Sequence, residues 1–177
     1  MTETPVNQIS SIRAGIVVGN PKPASRTYLA AVKLVELLTG SAPEPAVDLA
    51  AFGAGLLDWS DAEVDEAVTA VCGLDLLVVA SPTYKGAYTG LLKLFLDRIP
   101  GDGLAGVVAV PLMLGAGPGH ALAPEVHLKP VLAELGAVLP TRALYLLESS
   151  YDDDSAYQGW LAASRGRIAN AVGGPAS

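Results

Sequence analysis

The chain alternates two hydrophobic patterns. Short unbroken apolar runs fill Ile12–Val18, Ala46–Leu49, Leu74–Ala80, Leu104–Leu114 and Val138–Leu147. Rich in Val and Leu and bounded by Gly, Pro or Asp, these runs predict strands, most of them buried on both faces. Between them, apolar residues recur every three or four positions, which predicts helices over Thr27–Leu38, from a Ser60 or Asp61 cap to Cys72, and over Leu91–Ile99, Ala121–Leu135 and Ser155–Val172. In the first helix Leu29, Val32, Val35 and the Leu37-Leu38 pair make the inner face, and Gly40 closes it. Three prolines test the scheme: Pro111 predicts a bend or bulge late in the fourth strand, Pro130 a kink in the fourth helix, and Pro140 sits near a strand start, where a missing N–H is tolerated.

Five strands alternating with five helices predict a doubly wound α/β fold. For five parallel strands the expected arrangement is flavodoxin-like, with order 2-1-3-4-5. Strands one, three and four are then neighbours, and the loops at their carboxyl ends meet in one cleft. The stretch from Leu74 to Arg98 is the centre of the scheme: buried strand, polar loop, outgoing helix.

Three loops could carry chemistry. Gly19-Asn20-Pro21-Lys22-Pro23-Ala24-Ser25-Arg26-Thr27 precedes a helix, so unpaired N–H groups, the Ser25 and Thr27 hydroxyls and the Lys22 and Arg26 cations make a phosphate cradle. The same residues also fit an ordinary turn capped by Ser25. It is not a Walker loop, because the Gly-Lys-Ser/Thr ending is missing. Ser81 to Gly90 suits a flat ring: Pro82 and Tyr84 offer apolar surface, amides from Thr83 through Lys85 to Gly86 can bond a ring edge, and Gly86 permits close approach. A rigid turn with Tyr84 as packing is the other reading. Gly115-Ala116-Gly117-Pro118-Gly119-His120 fails the dinucleotide fingerprint at its sixth position and reads as a wall over the ring. His120 and His127 lack a third metal partner, Asp152-Asp153-Asp154 reads as a helix cap, and no Ser-His-Asp set or Gly-x-Ser-x-Gly occurs.

Composition narrows the rest. The 177 residues favour one domain, residues 12–172, between a flexible segment 1–11 and a disordered tail 173–177. Only 16% of residues are charged, against a usual ~25%, which suggests either a subunit interface or simply an Ala- and Gly-rich chain. A net charge of −7 without a basic stripe disfavours nucleic acid. Cys72, the single cysteine, excludes an intrachain disulfide and reads as a packed thiol. The polar start suggests no secretory signal, and the apolar run at Val107–Leu114, broken by Pro111, is too short for a membrane span. A cytoplasmic enzyme or binding domain is expected.

Ser81-Pro82-Thr83-Tyr84-Lys85-Gly86-Ala87-Tyr88-Thr89-Gly90-Leu91-Leu92-Lys93 resembles the flavin-ring loop of the NAD(P)H-dependent FMN reductases, a flavodoxin-like family. The likeness is strongest to the branch supplying reduced FMN to alkanesulfonate monooxygenases, and the Gly19–Thr27 loop and the His120–Leu132 segment share it. The resemblance implies FMN and NAD(P)H as ligands. It implies the 5′-phosphate on Ser25, Arg26 and Thr27 with Gly19, Asn20 and Lys22 nearby, the ring on Pro82, Thr83, Tyr84, Lys85 and Gly86, and Gly115, Ala116 and Gly117 closing the site. The flavin carries the chemistry, so no catalytic side chain and no metal is expected. Three residues depart from the pattern: Asn20 for Ser, Lys22 for Arg, and Ala116 within a Gly-Gly pair. Also implied are a homodimer or homotetramer built on the Ala121–Leu135 helix and a partner monooxygenase. That helix can carry an inserted aromatic residue in this branch; here Val126-His127 stands in the region and no insertion is expected.

The resulting expectation is NAD(P)H-dependent reduction of FMN. The alternatives are a quinone or azo reductase with resident FMN, separated by flavin retention on gel filtration, and a non-enzymatic flavodoxin-like electron carrier, separated by failure to oxidise NAD(P)H. A third is a domain that has lost FMN and works through protein interaction.

Overall fold

The computed structural model describes residues 12–172; the expected flexible segment and tail lie outside the described residues. The strands are β1 (Ala14–Val18), β2 (Ala46–Asp48), β3 (Leu76–Pro82), β4 (Val108–Gly115) and β5 (Leu144–Leu147), paired in parallel in the order β2-β1-β3-β4-β5. The expected topology is the observed one. The main helices are α1 (Arg26–Thr39), α2 (Ala62–Cys72), α3 (Gly90–Leu96), α4 (Lys129–Glu134) and α5 (Ser155–Val172). None of the described helices is long and apolar enough to cross a membrane.

Every residue of β1, β3 and β4 is buried, because helices cover both faces of the sheet. Val17, Leu77, Val79 and Met113 pack with Val64 and Val68 of α2, Leu92 and Phe95 of α3 and Leu132 of α4. Alternate residues, among them Ile16, Val78 and Leu112, pack on the other face with Leu34 and Val35 of α1 and Tyr157 and Leu161 of α5. Cys72 is half-buried at the edge of the first cluster, and burial pushes its thiol pKa up.

The helix boundaries follow local chemistry. Ser25, Asp61 and Thr89 each accept a hydrogen bond from the third residue of the helix they precede. Gly40 adopts the left-handed conformation that ends α1.

Several expectations need correction. Leu29 faces outward, 46% exposed, and Val32 and Leu37 are only half-buried; the inner face of α1 is Ala30, Ala31, Leu34, Val35 and Leu38. Two alanines let α1 lie close to the sheet, which turns the larger Leu29 out. β1 starts at Ala14 rather than Ile12, and Ser81 and Pro82 belong to β3 rather than to the loop. Pro111 makes no bulge: β3 and β4 stay in register through the Val79–Pro111 pair. The Val108 N–H points to the β3 side and the Ala109 N–H to Val138. By alternation the nitrogen of Pro111 faces the β5 side, where pairing begins only at Leu112, so no ladder bond is lost. For the same reason the fifth strand is shorter than expected: Val138 makes one isolated bridge to Val108, and the ladder resumes at Leu144.

The largest difference is the fourth helix. Ala121–Leu135 is not one kinked α-helix but a π-helical turn over Pro124–Leu128 running into the short α4, whose second residue is Pro130. The Lys129 N–H reaches back five residues to the Pro124 carbonyl. A π turn accommodates one residue more than an α turn, and this one, Pro124–Leu128, contains no Phe, Tyr or Trp.

Candidate functional site

The first loop is braced from within. Gly19 donates to the Ala80 carbonyl at 2.8 Å, and its own carbonyl accepts from Thr89 Oγ1 at 2.5 Å. A Cβ at Gly19 would collide with Leu92 at the start of α3, so only glycine lets the first loop lie against the second. Asn20 folds over the loop: its Oδ1 accepts from the Lys22 N–H at 2.9 Å and its Nδ2 donates to Thr27 Oγ1 at 3.1 Å. Asp48, at the end of β2, accepts from the Ala24 N–H at 2.9 Å and holds Ala24 at φ 49°.

The hydrogen-bond inventory of this loop matters for an anion. Ser25 Oγ accepts from the Tyr28 N–H at 3.2 Å and Thr27 Oγ1 accepts from Asn20. Each hydroxyl therefore has an acceptor role filled within the protein and its proton left to donate. Arg26 is exposed and faces Glu148 at 3.4 Å, a surface pair weak enough to yield to a doubly charged ligand. Lys22 is exposed. Residue types and backbone thus suit a phosphate at the start of α1.

The second loop begins where Thr83 donates its N–H to the Leu114 carbonyl at 2.7 Å, which ties it to β4. Tyr84 and Ala87 exchange N–H···O bonds of 2.9 and 3.1 Å around Lys85 and Gly86, at φ 52° and 82°. Two left-handed residues inside such a pair make a type I′ turn. The turn presents Tyr84, which is 50% exposed. Ser81 Oγ, beneath it, accepts from the Thr89 N–H at 3.0 Å and fixes the far end of the loop. Thr83 Oγ1 is buried with no hydrogen-bond partner.

Tyr145 of β5, which no motif marks in the sequence, shapes the third loop. Its hydroxyl donates to the Gly117 carbonyl at 2.6 Å, and a Cβ on Gly115 would collide with that hydroxyl. Burial pushes the phenol pKa up, opposed by the nearby Thr83 hydroxyl. The phenol's single proton goes to Gly117, and Thr83 Oγ1 lies close to the phenol oxygen without making a hydrogen bond of full geometry. Ala116 is exposed, and Gly117 has open space where a side chain would be.

The fold therefore brings the expected residues together at one edge. Loops one and two are joined through Gly19 and Thr89, and loops two and three through Thr83 and Leu114. A Cβ at Gly86 would lie 3.8 Å from the His120 imidazole. A cavity of about 350 Å³ opens there, lined by Gly86 and by residues of the third loop and the π turn; the first loop is not part of its lining. Sequence reasoning missed Tyr145, Thr89, Asp48 and the part of the cavity wall that the π turn supplies. Thr89 alone had a local signal, as a hydroxyl residue before a helical stripe.

The donors and surfaces fit a flavin mononucleotide: two free hydroxyl protons at a helix start, a turn with an exposed aromatic ring, and an orphaned hydroxyl on the residue before that ring. Comparison with known proteins agrees with this chemistry. Residues 12–152 match the family described as NADPH-dependent FMN reductase. The chain is 43% identical over 81 residues to an FMN reductase (NADPH) of Escherichia coli K12, a match covering 46% of this chain and 39% of that protein. It is 31% identical over 151 residues to the NADH-dependent FMN reductase SfnF of Pseudomonas putida, covering 81% of each. Among solved structures, the apo form of an NADH:FMN oxidoreductase (EMOB) superposes with a TM-score of 0.70 at 32% identity, over 90% of this chain and 86% of that one. The matches to the first curated relatives span only about two fifths of their length, 39% and 40%.

Proposed function

From the premise that the chain belongs to the NADPH-dependent FMN reductase family, we propose that it binds FMN at the carboxyl edge of its sheet and reduces it with NAD(P)H. The observation that carries this reading is the union of the three loops, with the Ser25 and Thr27 hydroxyl protons unspent at one end and the Tyr84–Ala87 turn at the other. Ser25, Thr27 and the first amides of α1 would hold the phosphate, with Arg26 and Lys22 adding charge; Gly19 and Asn20 set the loop. Pro82, Thr83, Tyr84, Lys85 and Gly86 would hold the ring, and Gly115, Ala116 and Gly117 would close the site. The bound flavin supplies the hydride chemistry, accepting from the nicotinamide. The protein's part is orientation: the I′ turn keeps Tyr84 at the surface, and the Thr83–Leu114 bond holds the ring loop to the sheet.

Reduced FMN would leave for a flavin-dependent monooxygenase, as the resemblance of the Ser81–Lys93 stretch implies. A homodimer or homotetramer is part of the proposal, with the exposed Leu122 and Val126 of the fourth helical segment at the contact, as is a cytoplasmic setting. The test is NAD(P)H oxidation, read from the loss of nicotinamide absorbance, with and without added FMN. Turnover that requires and saturates with FMN supports the reading. Absence of oxidation with either dinucleotide overturns it.

A further inference from the structure

Asp48 ends β2 and reaches two neighbours with its two carboxylate oxygens. Oδ2 accepts from the Ala24 N–H at 2.9 Å, across 24 residues of chain, and Oδ1 accepts from the Ala50 N–H at 3.3 Å. The second bond caps the short 3-10 turn Leu49–Ala51, a common use of an aspartate. The first has a further consequence. Ala24 stands at φ 49°, a left-handed conformation in which Cβ crowds the following carbonyl oxygen. Ala24 is exposed, so packing does not hold it there. Pro21 and Pro23 before it have no N–H with which to tie the loop down, and the Lys22 N–H goes to Asn20. Within this stretch the bond to Asp48 is the tether that remains. The next residue is Ser25, the cap of α1, and the first N–H groups of that helix follow. A carboxylate at this place repels an anion and takes up an amide that could have served one. Its contribution to anion binding therefore lies in the shape it gives the loop.

We infer that Asp48 is a positioning residue for the flavin phosphate: by holding Ala24 left-handed it presents Ser25, Thr27 and the first amides of α1 as a cradle already formed when FMN arrives. The inference rests on the phosphate placement in the flavin reductase reading. Asp48 acts through Ala24 and takes no part in hydride transfer.

The test measures the Kd of FMN and of riboflavin by flavin fluorescence; riboflavin carries the same ring without the phosphate. Asp48→Ala should raise the FMN Kd about tenfold and leave the riboflavin Kd within about twofold of wild type. Adding Ala24→Gly to Asp48→Ala should recover most of the lost FMN affinity, because glycine takes φ 49° without a tether. A role confined to the Leu49–Ala51 turn would gain nothing from a change at residue 24. Ala24→Val, at an exposed position, carries the test if Asp48→Ala does not fold: a β-branched residue resists a positive φ, so the FMN Kd should rise while the riboflavin Kd holds. An FMN Kd unchanged in either variant, equal losses for FMN and riboflavin, or no recovery with Ala24→Gly overturns the role. A wild type that binds FMN no more tightly than riboflavin overturns the phosphate placement itself, and the role of Asp48 with it.

Discussion

Replacing Thr83 by Val separates the site reading from a purely structural one, because it moves two measurements in opposite directions. Thr83 Oγ1 is buried without a partner, while Thr83 itself is only half-buried. An unsatisfied buried hydroxyl costs about 1–3 kcal/mol by mutational measures. Val has nearly the same shape, so the flavin-free variant should be more stable by about that amount. In a domain of this size each kcal/mol moves Tm by roughly 2–4 °C, so thermal unfolding should shift upward by roughly 2–12 °C. Under the proposed flavin site the same hydroxyl would turn to another χ1 well and hydrogen-bond the ring. A hydrogen bond made there has a net value of about 0.5–1.5 kcal/mol, so the variant's FMN Kd should rise roughly two- to twelvefold. Differential scanning calorimetry of the apo protein and fluorescence titration with FMN read the two effects. A lowered apo Tm would refute the claim that the hydroxyl is unsatisfied, and an unchanged Kd would refute its role toward flavin.

Three further outcomes are expected. Gly115→Ala drives a methyl into the Tyr145 hydroxyl, so urea denaturation should show a loss of about 1–3 kcal/mol together with weaker FMN binding. Tyr84→Ala removes a half-exposed ring; stability should hold, while FMN affinity falls by about 0.5–1.5 kcal/mol if the ring stacks, and unchanged binding would remove Tyr84 from the site. For Glu125, burial raises the carboxyl pKa, but the bonds from Lys129 and the Ala143 N–H outweigh it and leave the pKa below the ordinary carboxylate value. Its contribution is then fully present above the unfolded pKa and lost as pH falls through the folded one. Glu125→Gln should accordingly be less stable by about 1 kcal/mol near neutral pH, with the gap to wild type closing in acid; a gap independent of pH would mean the charge plays no part.

The fold was legible because buried parallel strands leave an unmistakable trace. Leu76–Ala80 and Val108–Leu114 are apolar at every position, which only a sheet covered on both faces permits. Alternation with helices then restricts topology to few solutions, and the 2-1-3-4-5 order was among them. Two helix starts were legible for the same kind of reason: Ser25 and Asp61 cap through bonds spanning three residues, and such local chemistry survives in one-dimensional order, while Thr89 caps in the same way and was missed. The apolar stripe of α1 was harder. Ala30 and Ala31 count for little in a hydrophobicity pattern, yet they decide which face can approach the sheet.

The candidate site divides along the same line. Gly19 to Thr27, Pro82 to Gly86 and Gly115 to Gly117 stand out because loops with Gly, Pro and hydroxyl residues at strand ends carry their chemistry locally. Tyr145 does not: it reaches Gly117 from a different strand, and an ordinary β-strand tyrosine bears no mark of that contact. Nor does the cavity at His120 and His127, which depends on a π turn whose five-residue bond no propensity announces. By itself, then, the order of residues determined which stretches are buried strands and which loops leave their carboxyl ends, since burial periodicity and capping are short-range, and it narrowed the sheet order to a few arrangements. Only the tertiary structure decided which side chains meet across those loops. Hydrogen bonds such as Thr89 to Gly19, seventy residues apart, exist only once the sheet has brought their strands together.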